Sequence, residues 1–71
     1  MDLPAAVERA RSLLTIHAGL RLLFPDDQNL RWTWVSRRNL ALGGSTPLEV
    51  MLAGDTGIGR VLQLIRQGVG T

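Results

Sequence analysis

A small all-α domain, a bundle of four helices with the third one short, is what the sequence predicts from three observations. Apolar residues recur at three- and four-residue spacing along Pro4 to Leu23 and Gly57 to Gln67. Nowhere does an alternating run reach strand length. Proline, glycine and aspartate separate the helical stretches at Pro25 to Asp27, Gly43 to Thr46 and Gly54 to Asp55. The 71 residues make one domain spanning 1–71. At this size folding removes only roughly 60% of the unfolded surface from water, so part of the stabilisation is expected from a partner.

The first helix is placed at about Pro4 to Leu23, with Asp2 or Leu3 near its cap and Pro25 beyond its end. Val7, Ala10, Leu14 and Ala18 form one apolar face. Ile16, Leu20 and Leu23 form a second stripe on nearly the opposite side. A helix apolar on both sides needs cover on both, and the second stripe is assigned to self-association with another copy of the chain. Asp26 or Asp27 caps a second helix reaching about Ser36. Leu30, Trp34 and Val35 are placed inward and Arg31 and Arg37 outward. Trp32 and Trp34, two residues apart, cannot share a face; Trp34 is taken as core and Trp32 as an anchor for a partner.

The strongest local signal runs from Asn39 to Met51. Gly43 and Gly44 permit the positive φ of a sharp reversal. Thr46 is the N-cap of the third helix, Pro47 stands at N1 where its missing N–H costs nothing, and Glu49 at N3 completes a capping box. This helix is expected to run to about Leu52 or Ala53, burying Leu48, Met51 and Leu52. Gly54 ends it. Asp55 or Thr56 caps the fourth helix, from Gly57 to about Gln67, in which Ile58, Val61, Leu62 and Ile65 repeat at i, i+3, i+4 and i+7. Arg60, Gln63 and Gln67 take the opposite face and Arg66 its flank. Gly68 is read as the C′ stop, leaving Val69, Gly70 and Thr71 as a tail.

Composition removes several classes of chemistry. The chain has no cysteine, tyrosine or lysine and one histidine, His17, so it offers no disulfide, no thiolate metal site and no second histidine ligand. No cofactor is expected. Apolar runs are too short for a membrane span or a secretory segment, which makes the cytoplasm the expected location. All eight basic residues are arginine, yet the net charge is only +2, a balance that permits nucleic-acid binding without arguing for it. Gly54 to Val61 has the glycine spacing of a phosphate-binding loop, but Arg60 and Val61 stand where Lys and Ser or Thr are needed and no strand precedes it. Helix capping accounts for it. Asp26 and Asp27 diverge after Pro25, and no nucleophile or base accompanies them. An enzyme is not expected.

The residues around the turn resemble a known family. Trp34 followed by Asn39, Ala41, Leu42, Gly43, Gly44, Thr46, Pro47 and Glu49 matches, in order, the Trp and the Asn-x-Ala-Leu-Gly-Gly-x-Thr-Pro-x-Glu pattern of the toxin-binding domain of Xre/MbcA/ParS antitoxins. The likeness covers roughly Val7 to Gly68 and its specific part is Asn39 to Glu49; Arg38 stands where the family usually has proline. The resemblance implies an antitoxin of a bacterial type II toxin–antitoxin system that neutralises a RES-domain, NAD-consuming toxin by covering its active site. It also implies that the C-terminal end lies at the toxin's NAD pocket. The candidate partner-binding residues are accordingly Trp32, Arg37, Arg38, Arg66, Gly68, Val69 and Thr71. Trp34, Asn39, Leu42, Gly43, Gly44, Thr46, Pro47 and Glu49 are the structural motif. Many relatives carry an N-terminal helix-turn-helix for which this chain has no residues, so direct DNA contact is not expected. The alternative reading is a small basic helical nucleic-acid binder, in which Arg31, Arg37 and Arg38 would face phosphate.

Overall fold

The computed structural model describes the backbone of residues 3–70 and the side chains of residues 4–68. Four α-helices follow one another: α1 (Leu3–Leu23), α2 (Gln28–Ser36), α3 (Pro47–Leu52) and α4 (Asp55–Gly70), with a single 3-10 turn at Leu40–Leu42 between α2 and α3. No strand occurs among the described residues. The expected all-α bundle with a short third helix is the observed fold. The cap expected from Asp2 lies outside the described residues.

The long helices α1 and α4 pack along each other, α3 packs across α4, and α2 rests on α3. Their shared core consists of Ile16 and Leu20 from α1, Leu42 from the 3-10 turn, Val50 from α3, and Ile58, Val61 and Ile65 from α4. Val61 is 0% and Ile65 2% exposed, so α4 is the central element. The i, i+3, i+7 spacing of its apolar residues therefore does face the core, with Leu62 half-buried beside it.

This core corrects the assignment on α1. Ile16 and Leu20, assigned to self-association, are buried inside the chain's own core, and Leu23 is packed against it. The face left in solvent is the other one, Val7, Ala10, Leu14 and Ala18. Two equally apolar faces carry no instruction as to which turns inward; α4 decides by offering Val61 and Ile65 to one of them.

Four further expectations are corrected. Leu30 is exposed rather than inward, while Trp34 and Val35 do pack on the core. Arg31 does not project outward. It is half-buried, its Nε donating to the Phe24 carbonyl (3.0 Å) and its Nη2 to that of Pro25 (3.3 Å), which satisfies carbonyls left over at the end of α1. On α3 it is Pro47 and Val50 that are buried, Leu48 and Met51 are half-buried, and Leu52 is 78% exposed. Finally, Gly68 does not stop α4, which continues to Gly70; Gly68 lies against Leu23 of α1, where a Cβ would sit 3.7 Å from its Cδ2.

The starts of α2 and α4 have local causes, one a side chain and one the backbone. Asp27 caps α2 by accepting from the Leu30 N–H at 3.1 Å. Gly54, at φ +138°, takes a conformation that side chains avoid and lets its carbonyl accept from the Ile58 N–H (3.1 Å), so α4 starts at Asp55.

Candidate functional site

The segment from Asn39 to Glu49 closes upon itself. The Asn39 side chain accepts from the Ala41 N–H (2.9 Å), its backbone N–H donates to the Ser45 carbonyl (3.0 Å), and its own carbonyl accepts from the N–H groups of Leu42 and Gly44 (both 3.0 Å). Gly43 and Gly44 have φ of +70° and +89°, as the reversal requires. The capping box is complete: the Glu49 N–H donates to Thr46 Oγ1 and the Thr46 N–H to Glu49 Oε1, each at 3.0 Å. Leu42 inserts into the core from the inner side of this turn, whereas Leu40, 95% exposed, stands on its outer side.

The motif thus holds a platform, and the groups that can meet a partner lie around it. Trp32 is 63% exposed on α2. Arg37, the C-cap of α2, and Arg38 are exposed in the link to the turn. Arg66 is exposed on the last turns of α4. The fold keeps these two groups on separate elements, because α2 packs principally on α3 and not on α4. The side chains of Val69 and Thr71 lie outside the described residues.

Two surface grooves complete the picture. One, of about 450 Å³, runs between the turn and α4; Ala41 and Leu42 form one side, and Thr56, Gly59, Arg60, Gln63, Leu64 and Gln67 the other. The second, about 520 Å³, follows the outer face of α1 along Val7, Ala10, Leu14 and Ala18 beside Arg11 and Thr15. Leu40, Gly59 and the groove on α4 were not singled out from the sequence. The available signal was a glycine inside a helix on the face shared by Arg60, Gln63 and Gln67, since these positions recur at helical spacing.

Two carboxylates titrate below their ordinary range. Hydrogen bonds from the Thr46 backbone and hydroxyl side hold Glu49 below 4.5, with the positive charge of Arg38 adding to the effect. Asp55 is held below 3.8 by the hydrogen bond from Arg9, whose Nε and Nη2 reach its two oxygens at 2.6 and 3.1 Å and so tie α1 to the start of α4. A carboxylate depressed in the folded state favours folding above its unfolded value, and that contribution disappears as pH falls through the folded value. Thermal melts should therefore hold level near neutrality and decline from about pH 4.5 downward. The pair Glu49→Gln and Asp55→Asn should flatten that decline; an unchanged acid limb in the double variant would remove these two groups as its cause.

Fold and surface together define a small helical binding module. The family model for the antitoxin Xre/MbcA/ParS C-terminal toxin-binding domain matches residues 19–67. The chain belongs to that family and is an antitoxin-type toxin-binding domain. No curated protein and no solved structure matches it. Among the described residues no helix is long and apolar enough to cross a membrane.

Proposed function

We propose that this domain neutralises a RES-domain toxin in the bacterial cytoplasm by binding over the active site where the toxin consumes NAD. The observation that supports the reading is the family match across residues 19–67, which contains the whole Asn39 to Glu49 platform. The domain acts by occlusion and not by chemistry of its own. The C-terminal end is the part directed at the cleft. With α4 helical to Gly70, what it presents is a helix end carrying the exposed Arg66, a cation suited to a pocket that binds an anionic dinucleotide.

The test is to purify the chain and the RES-domain protein encoded in the neighbouring reading frame, mix them, and follow NAD. Equimolar chain should co-elute with the toxin and bring NAD consumption to background. Full NAD consumption in the presence of excess chain would overturn the reading. Sedimentation of the chain alone belongs to the same series: we propose a homo-oligomer through the outer α1 face of Val7, Leu14 and Ala18, and a monomer at high micromolar concentration would remove that part. The nucleic-acid alternative gains nothing from Arg31, whose guanidinium is engaged with two carbonyls of its own chain.

A further inference from the structure

The three glycines of Gly54 to Gly59 have different reasons to be glycine. Gly54 needs its φ of +138°. Gly57 passes so close to α3 that a Cβ would overlap the Val50 carbonyl oxygen and lie 2.7 Å from the carbonyl carbon. Gly59 has neither reason: it is helical and exposed, and a Cβ there would meet nothing within 4 Å. Glycine inside a helix costs about 1 kcal/mol relative to alanine. Nothing in this chain offsets that cost at Gly59.

Around Gly59 the surface is built for a polypeptide. The groove floor is apolar, Leu42 and Leu64, and along its α4 wall Arg60, Gln63 and Gln67 follow at three- and four-residue intervals. The two glutamines offer both donors and acceptors to a backbone. Arg60 makes no hydrogen bond or ion pair to any described residue, in contrast to Arg9, paired with Asp55, and Arg11, paired with Glu8. An unneutralised guanidinium beside a groove attracts a carboxylate.

We infer that this groove between the Asn39 turn and α4 receives an extended acidic segment of the toxin, whose backbone passes over Gly59 and whose carboxylate pairs with Arg60. The inference rests on the proposed toxin-binding function and adds a second contact to it, away from the C-terminal end of α4. The absent Cβ lets the partner's main chain approach the helix closely, and Leu42 and Leu64 give it apolar cover.

Affinity for the purified RES-domain protein, measured by calorimetry for Gly59→Ala, Gly59→Leu and Arg60→Glu, tests this. Gly59→Ala should melt at or above the parent temperature, since alanine favours the helix and fits. Gly59→Leu should keep the parent's helix content yet bind at least tenfold more weakly, as its side chain fills the groove. Arg60→Glu, an exposed change that leaves the core untouched, should also lose tenfold or more and abolish most of the parent's weakening in added salt. If both Gly59→Leu and Arg60→Glu bind within twofold of the parent, the groove is not a contact and the functional reading stands without it. If only Arg60→Glu binds like the parent, the acidic character of the segment is overturned. If the parent chain itself fails to bind, the functional reading falls and this inference with it.

Discussion

Replacing Gly57 by alanine is expected to cost this domain most of its stability. Glycine to alanine inside a helix ordinarily gains about 1 kcal/mol, and at Gly59, two residues along the same helix, it should. At Gly57 the added methyl collides with the main chain of α3 at Val50, which no rotamer change can relieve, because the obstacle is a carbonyl and not a side chain. Relief requires α4 to move off α3, opening the contact that seats Val50 and Ile58 in the core. Overpacking of this kind costs about 3 kcal/mol. A domain of this length has on the order of 5 kcal/mol in total, so the melting temperature should fall by roughly 15 to 20 °C. A Gly57→Ala chain melting within a few degrees of the parent would mean that α3 and α4 are not held this closely.

Ile65→Ala should be comparably damaging by the opposite route. Ile65 is 2% exposed and belongs to the core that α4 shares with Ile16 and Leu20 of α1. Removing its outer carbons leaves a void where α4 packs against α1. The expected loss is about 3 kcal/mol. Denaturant unfolding should show a lower midpoint with an unchanged slope. In cells, a toxin held by this domain should be released as the variant is depleted from the folded pool. An Ile65→Ala midpoint equal to that of the parent would argue against α1 packing on α4 as described.

What could be read in advance was what short-range rules control. The capping box of Thr46 and Glu49, the positive φ of Gly43 and Gly44, an aspartate cap on α2, open between Asp26 and Asp27 until the fold chose Asp27, and the core face of α4 each depend on residues within one or two turns. The inward side of α1 was not legible, because Val7, Leu14 and Ala18 are as apolar as Ile16 and Leu20 and only the position of α4 separates them. Arg31 looked like a solvent residue because the carbonyls it serves belong to the preceding turn. Gly68 has the composition of a helix stop, yet Leu23 lies beside it and α4 continues. Of the candidate site, the platform was visible and its surroundings were less so. The groove needs α4 and the turn at Asn39 to be brought side by side, and no local pattern states that they are.

The ion pair between Arg9 and Asp55 bears on how the molecule opens. Between residues 4 and 15 no side chain of α1 is fully buried, and the match to the family begins only at residue 19. Peeling that half of the helix away from α4 breaks one solvent-exposed pair, a contact of small worth, and of the core reaches only Ile58, which lies beside Ala5, Arg9 and Ser12. Its amides should exchange with solvent by a local, low-energy opening while those around Val61 and Ile65 wait for global unfolding. The domain should therefore open in two tiers, a tightly coupled unit from the end of α1 onward and a leading segment that frays first. A protease meeting the native protein would find its first purchase there, at a position that leaves the Asn39 to Glu49 platform whole.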